Sequence, residues 1–205
     1  MLLKIEETFE LAVRKHQKND IKEAQELYNQ VLKINPNHSQ ALNNLGVIFK
    51  TLGEKQKAKD CYEKSIKINP NYQAAHNNLG IIFTKLGEHQ KAKDCFEKVI
   101  KINPNYTDAH YNLGNIFKEL GENQKAKNCF EKAIEINPNY VDALNNLGNI
   151  FHGLGENEKA KNCFEKAIKI NPNYTDAINN LGNIFQELGE KQKAKDCYEK
   201  SIKIN

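Results

Sequence analysis

Apolar residues recur along the chain at spacings of three and four, in two short stretches that alternate throughout. Within residues 107–140, for example, one stretch covers 107–120 and the next covers 123–136. This spacing is typical of amphipathic helices. Gly121 follows the first stretch and Pro138 follows the second, and these residues suit a helix end and a helix stop. The pattern predicts a helical hairpin, with Thr107 or Thr175 capping the first helix of a hairpin.

The hairpin pattern repeats every 34 residues. Asn–Pro–Asn occurs five times at that interval, and five cysteines follow the same interval. With the proline as position 32, the units are 5–38, 39–72, 73–106, 107–140, 141–174 and a shorter 175–205. A helical pair that cannot bury its apolar face alone must stack on its neighbours. The sequence therefore predicts an all-α fold built from stacked hairpins.

The recurring residues resemble the tetratricopeptide signature, a 34-residue unit with W-x2-L-G-x2-Y, then A-x3-F, then P. In residues 39–72 the matching residues are Leu42, Leu45, Gly46, Phe49, Ala58, Tyr62 and Pro70. The tryptophan position instead holds Leu42, His76, His110, Leu144 and Ile178. The first unit matches weakly, because Arg14 and Lys15 stand where the other units are apolar. The resemblance implies a single array over residues 1–205, a right-handed α-solenoid (superhelix) of six helix-turn-helix units.

The resemblance also implies that the first helices of the units line a concave groove. Positions 2, 5, 6, 9, 12 and 13 share one side of that helix, and we call this side the groove face. Position 6 is asparagine in five units, and we call these residues the asparagine row: Asn44, Asn78, Asn112, Asn146 and Asn180. An amide can pair with both the C=O and the N–H of an extended peptide. The alternatives are that these residues bond neighbouring helices, or only record duplication.

The asparagine row sharpens the resemblance, which is closest in style to the superhelical arm of O-linked N-acetylglucosamine transferases. In that arm, asparagines hold extended protein substrates and aspartates add selectivity. The positions that match the aspartates are Asp108, Asp142 and Asp176, which we call the acidic set. Their alternative role is favourable charge at a helix N-terminus.

A second asparagine set lies one turn further along the same helices. It consists of Asn115, Asn149 and Asn183, whereas Val47 and Ile81 hold that position in the earlier units. We therefore expect a bound segment to be hydrophobic or acidic near residues 39–106. Near residues 107–205 we expect it to be basic or polar.

Charge and composition narrow the choice of partner. The net charge of +4 lacks the strong basic footprint of a nucleic-acid binder. Lysines do cluster on one second helix, at Lys57, Lys59, Lys64 and Lys67, but acidic residues interleave with them. The opening residues 1–7 lack the basic and then apolar pattern of a signal peptide, and no apolar run reaches the ~18 residues of a membrane span. We expect a protein or peptide partner in the cytoplasm or nucleus, without nucleic acid or membrane.

No residue pattern indicates catalysis. The sequence has no phosphate loop, nucleophile elbow or C-x-x-C motif. Its cysteines lie on the apolar stripe, so we expect buried core residues rather than metal ligands. The expected function is a non-catalytic scaffold for protein–protein interaction, with no catalytic residue, metal or cofactor. The alternatives are the substrate-recognition arm of a larger glycosyltransferase-like enzyme and a self-assembling or engineered repeat protein that associates through its uncapped C-terminal end.

Overall fold

The fold is entirely helical over the residues that the computed structural model describes, which are 2–204, with side chains from Lys4 to Ile204. The twelve helices in this range are α1 (Leu2–Gln17), α2 (Ile21–Ile34), α3 (Ser39–Thr51), α4 (Lys55–Ile68), α5 (Gln73–Lys85), α6 (His89–Ile102), α7 (Thr107–Glu119), α8 (Asn123–Ile136), α9 (Val141–Gly153), α10 (Asn157–Ile170), α11 (Thr175–Glu187) and α12 (Lys191–Ile204). Consecutive helices form six hairpins that coincide with the six units. The predicted all-α class and the six helix-turn-helix units are confirmed.

The chain divides into two compact units, Met1–Pro104 and Asn105–Asn205. We call them the N-terminal unit, with helices α1–α6, and the C-terminal unit, with helices α7–α12. In each unit the two helices of a hairpin contact each other, and the second helix contacts the first helix of the next hairpin. The single array over residues 1–205 stays a prediction.

A close contact between glycine and an aromatic ring sets the spacing of the helices within a hairpin. A Cβ atom added to Gly80 would lie 2.6 Å from Cε1 of Phe96, whose ring is buried. The same contact recurs at Gly46, Gly114, Gly148 and Gly182, with distances of 2.5 to 2.7 Å. In the first hairpin a buried alanine, Ala12, holds the position. Larger side chains at this position would force the two helices apart.

The turn inside each hairpin depends on a left-handed residue. Gly53 has a φ of +79°, and the Glu54 N–H after it donates to the Phe49 carbonyl at 2.9 Å. This bond satisfies a carbonyl at the end of α3. In the first hairpin Asn19 takes the glycine's place with a φ of 62°, and asparagine tolerates this region better than most residues.

The turn between hairpins is closed by its first asparagine. The Asn35 Oδ1 atom accepts a hydrogen bond from the backbone N–H of Asn37 at 3.1 Å. Asn69, Asn137 and Asn171 do the same at 3.1 to 3.2 Å. An asparagine that bonds its own backbone two residues on makes a local turn. Much of the chain's asparagine is therefore structural.

The predicted threonine caps are wrong. Thr107 and Thr175 are the first residues inside α7 and α11, and the residues that precede the helices are Tyr106 and Tyr174. Neither tyrosine side chain makes a capping hydrogen bond. The first-helix N-termini in these hairpins are thus formed without the side-chain acceptor that threonine would have supplied.

Candidate peptide-binding site

The asparagine row of the N-terminal unit consists of Asn44 on α3 and Asn78 on α5, both half-buried. Asn78 Nδ2 donates to Oδ1 of Asn43 in the preceding hairpin at 3.1 Å. Asn44 Nδ2 donates to Oη of Tyr28 at 3.2 Å, also in the preceding hairpin. These amides therefore link each hairpin to the one before it.

The C-terminal unit repeats this arrangement with one exchange of partner. Asn180 Nδ2 donates to Oδ1 of Asn145 at 2.9 Å, as Asn78 does to Asn43. Asn146 Nδ2 instead donates to Oδ1 of Asn115 at 3.0 Å, because the preceding hairpin has Tyr111 where Asn43 would stand. Lys118 Nζ donates to Oδ1 of Asn146 at 3.2 Å. Asn112 is half-buried at the equivalent place on α7.

The structure thus contains hydrogen bonds between neighbouring helices, which was the alternative role given above for the asparagine row. These bonds leave part of each amide available, because an amide has two N–H donors and an oxygen with two lone pairs. The acceptors in the preceding hairpins, Asn43 and Asn145, are only 4% and 6% exposed. Sequence reasoning missed that position 5 supplies buried acceptors while position 6 stays half-buried.

The second asparagine set lies on the groove face of the C-terminal unit. Asn115 and Asn149 are half-buried and Asn183 is exposed, and Oδ1 of Asn183 accepts from Tyr198 Oη at 2.8 Å. In the N-terminal unit the same position holds half-buried Val47 and Ile81. The groove face is therefore more apolar in the N-terminal unit, as the sequence indicates.

Two members of the acidic set accept hydrogen bonds from the tyrosines that end their own units, just before the next hairpin begins. Tyr140 Oη donates to Asp108 Oδ1 at 3.1 Å, and Tyr174 Oη donates to Asp142 Oδ1 at 2.7 Å. Burial, and then the nearby carboxylate, raises the pKa of both tyrosines. Asp176 is exposed. The signal for these pairs was in the sequence, since units 107–140 and 141–174 each have both an aspartate at position 2 and a tyrosine after Asn–Pro–Asn.

Charged residues on the groove face differ between the two units. In the N-terminal unit Lys50 is half-buried and Lys85 is exposed. Burial, and then the charge of Lys85, lowers the pKa of Lys50. In the C-terminal unit His152 Nε2 lies 2.8 Å from Oε1 of Glu187. The groove face of the N-terminal unit thus has two lysines without a carboxylate partner among the described residues, whereas that of the C-terminal unit has the His152–Glu187 pair.

A shallow cavity lies on the groove face of the N-terminal unit. It has a volume of about 280 Å³ and is lined by Val13, His16, Tyr28, Asn44 and Val47, together with Gln17. Because Asn44 of the asparagine row lines it, a bound peptide could contact apolar side chains and an amide at the same place.

Burial makes three of the cysteines poor nucleophiles in the folded chain. Burial raises the pKa of Cys61 and of Cys163 to about 11, and that of Cys95 to about 12. The thiolate is the reactive form and the metal ligand, so folding suppresses both reactions. Within the described residues no group of three or more His, Cys, Asp or Glu side chains could hold a metal ion.

Two of the four clustered lysines on α4 contact neighbouring groups. Lys59 Nζ lies 3.8 Å from Glu63 Oε1, and Lys57 forms an ion pair with Glu54. Lys59 also lies over the Phe83 ring, 5.4 Å from its centroid. In the described part of the chain no helix is long and apolar enough to cross a membrane.

Comparisons with models of known protein families match most of the chain to tetratricopeptide repeats. A family model described as tetratricopeptide repeat matches residues 39–72, 74–106, 141–174 and 175–205. A model described as TPR repeat matches 14–53 and 114–155, and a further tetratricopeptide repeat model matches 95–128. A comparison with curated proteins returned no match.

Solved structures give the same result at the level of the fold. The crystal structure of MamA is 30% identical with a TM-score of 0.69, and the match covers 78% of this chain and 93% of MamA. YrrB, described as a TPR protein with an unusual peptide-binding site, is 22% identical with a TM-score of 0.70, covering 87% and 92%. Pseudomonas aeruginosa PilF is 17% identical with a TM-score of 0.87, covering 94% and 88%. None of these findings supports the finer resemblance to the transferase arm.

Proposed function

The chain belongs to the tetratricopeptide repeat family, and from that membership we propose that it is a non-catalytic scaffold whose asparagine row holds an extended segment of a partner protein. The observation that carries the proposal is the placement of half-buried amides at one position of five first helices. Asparagine is unfavourable in a helix interior. Its recurrence there indicates a use that outweighs the local cost.

The bonds between hairpins support this proposal by fixing the direction of each amide. Asn78 and Asn180 each direct one N–H at a buried asparagine of the preceding hairpin. The rest of the amide is then held in one orientation before any ligand arrives, which lowers the entropy cost of binding. An amide aimed in this way can pair with a peptide backbone without reading its side chains.

The free energy of such binding must come from the asparagines of several hairpins together. One neutral hydrogen bond contributes about 0.5–1.5 kcal/mol net, so a single asparagine cannot hold a peptide. The proposed ligand is therefore an extended segment that runs past several amides within a unit. That YrrB is described as having a peptide-binding site supports only the view that this fold accommodates one.

The test compares two neighbouring asparagines with different expected roles. Replacing both Asn112 and Asn146 with alanine should weaken binding of peptides selected from a displayed random library by roughly fivefold to hundredfold. Titration calorimetry with the selected peptides measures this loss. The melting temperature should fall only slightly, because both positions are half-buried.

The matched control is Asn145→Ala, next to Asn146 in the sequence. Asn145 is 6% exposed and accepts the Asn180 bond, so its loss leaves the half-buried Asn180 N–H unpaired and costs about 0.5–1.5 kcal/mol of stability. Peptide affinity at low temperature should change less than in the double variant. Unchanged affinity in the Asn112/Asn146 variant would remove the asparagine row from the binding site.

Self-association is a second candidate function, and one surface favours it. Ile202 on α12 is 75% exposed, whereas its equivalent Ile168 on α10 is half-buried. Ile202, Ala194 and Tyr198 line a cavity of about 370 Å³. Light scattering over a concentration series should show dimers that Ile202→Lys abolishes. A monomer at all concentrations would contradict this candidate.

A further inference from the structure

Lys50 is an exception among the half-buried lysines of the described residues. The other half-buried lysines of the described residues each have a carboxylate oxygen 2.6 to 3.9 Å from Nζ, and they are Lys15, Lys59, Lys93, Lys127, Lys132 and Lys161. Lys50 is half-buried with no carboxylate within 4.0 Å among the described residues. A partly desolvated cation without a counter-charge is unfavourable, so an anion bound beside Lys50 would stabilise its charge.

The charge of Lys85 further destabilises the charged form of Lys50. Lys85 lies on α5, the first helix of the next hairpin, and it also has no carboxylate partner among the described residues. Its charge lowers the pKa of Lys50, in addition to the larger effect of burial. Two like charges that interact in this way raise the free energy of the unliganded protein, and an anion between them would lower it.

The hairpin that contains Lys50 also has a buried hydroxyl without a partner. The Tyr62 side chain is fully buried, and Oη of Tyr62 has no hydrogen-bond partner among the described residues. Its ring packs on Gly46, where an added Cβ would lie 2.6 Å from Cε1. The equivalent ring of Tyr198 packs on Gly182 with a distance of 2.7 Å. The two tyrosines therefore occupy the same place in their hairpins.

The equivalent hairpin shows where the Tyr62 hydroxyl points. Oη of Tyr198 lies 2.8 Å from Oδ1 of Asn183 and 3.0 Å from Oε1 of Gln186. These residues hold positions 9 and 12, which in α3 are Val47 and Lys50. Neither a valine nor an ammonium group can accept a hydrogen bond. By this equivalence the buried Tyr62 hydroxyl faces positions 9 and 12 of α3 and has no acceptor there.

We propose that Lys50, Lys85 and Tyr62 form a subsite for an acidic side chain of the bound protein segment. This inference rests on the proposed function and names the chemistry of one part of the ligand. A carboxylate accepts hydrogen bonds from both ammonium groups and from the phenol, and such charge-assisted bonds are about twice as strong as neutral ones. Val47 and Ile81, one turn away on the same helices, favour apolar residues beside the acidic one.

The C-terminal unit lacks this combination of side chains. At the position of Lys85 it has Glu119, Gly153 and Glu187, and at the position of Lys50 it has Lys118, His152 and Gln186. Lys118 Nζ donates to Asn146 Oδ1, and a carboxylate placed beside Glu119 or Glu187 would meet like charge. Each unit thus selects a different kind of segment, by side chains at the same positions of the same helices.

The test uses substitutions that the chain already carries at equivalent positions. Lys50→Gln, Lys85→Glu and Tyr62→Phe introduce the residues found at Gln186, Glu187 and Phe96, so the fold accommodates each of them. Removing an unsatisfied hydroxyl or a half-buried charge should leave the melting temperature unchanged or raised. Lys98→Gln and Lys98→Glu, on the exposed side of α6, are controls that make the same changes of net charge elsewhere.

The probe is a displayed random peptide library, followed by synthetic peptides with both termini blocked. Peptides enriched on the wild-type chain should contain Asp or Glu among apolar residues. Lys50→Gln and Lys85→Glu should each weaken their binding by about tenfold or more, and Tyr62→Phe by about threefold to fivefold. Peptides with Glu replaced by Gln should bind the wild type and these variants equally weakly, and the Lys98 controls should bind like the wild type.

The outcomes separate the subsite from the proposed function. Enriched peptides that depend on the asparagine row but show no preference for acidic residues would overturn the subsite alone. A library that yields no peptide would overturn the proposed function and the subsite with it. Binding of single-stranded RNA or inorganic phosphate that Lys50→Gln abolishes, without binding of acidic peptides, would assign the lysines to another ligand and overturn the inference.

Discussion

The N-terminal and C-terminal units share the close contact between glycine and an aromatic ring in their interiors and differ on their groove faces. A Cβ added to Gly80 would lie 2.6 Å from the Phe96 ring in one unit, and one added to Gly148 would lie 2.5 Å from the Phe164 ring in the other. On the groove face, Val47 and Ile81 of the N-terminal unit are replaced by asparagines in the C-terminal unit. The N-terminal unit has an excess of five positive charges and the C-terminal unit an excess of one negative charge.

This difference separates what packing requires from what a ligand requires. Interior positions are determined by volume, because closely packed side chains tolerate little change. Exposed positions away from special contacts change stability by less than about 0.5 kcal/mol, so the fold does not determine them. Divergence concentrated on the groove face is therefore the pattern expected if the two units contact different parts of a ligand.

The most disruptive test of the shared interior removes one buried ring from each unit. Phe96→Ala and Phe164→Ala should each cost about 3–5 kcal/mol of local stability, because both rings are at most 1% exposed. Hydrogen exchange of α5 and α6, compared with that of α9 and α10, measures the loss in each unit. Costs that differ by more than about 1 kcal/mol would show that the interiors are not equivalent.

A smaller effect should distinguish the units through the tyrosine–aspartate pairs. Changing both Tyr140 and Tyr174 to phenylalanine removes two hydrogen bonds to carboxylates and should lower stability by about 1–3 kcal/mol for each bond. Tyr72→Phe is the matched control in the N-terminal unit, where the preceding hairpin has the neutral Gln40 in place of aspartate. It should cost less than either change in the C-terminal unit. Thermal unfolding followed by circular dichroism gives these values.

The pH dependence of the same variants follows from the direction of the pKa shifts. Because folding raises the pKa of Tyr140 and Tyr174, the neutral hydroxyl is favoured in the folded state. Its contribution to stability is complete below the ordinary tyrosine pKa of about 10 and is lost as the pH rises through the raised value. The stability difference between the wild type and the double variant should therefore shrink only above about pH 10. A difference that instead changes near neutral pH would contradict this assignment.

The hairpins were predictable from sequence because their signals are local. A glycine such as Gly121 and a proline such as Pro138 each act on the backbone beside them, so their 34-residue spacing was enough to place the helices. The helix starts were less predictable. Thr107 has the chemistry of a cap, but the backbone turns one residue earlier and includes it in the helix.

The site was predictable in its positions and not in its contacts. Helical spacing alone placed Asn78 and Asn146 on one side of their helices. That Asn78 bonds Asn43 while Asn146 bonds Asn115 depends on how one hairpin is rotated against the next, which no local pattern encodes. The unsatisfied, buried hydroxyl of Tyr62 could not be predicted for the same reason, because the positions it faces lie on another helix.

The contact between glycine and an aromatic ring has a consequence for how such a chain can evolve. Because Gly80 and Phe96 set the distance between their helices from inside the hairpin, residues at positions 9, 12 and 13 take no part in holding that distance. A single substitution there can alter which partner is bound without a compensating change in the interior. Duplicated units of this kind can therefore acquire separate binding preferences one mutation at a time, while each intermediate still folds.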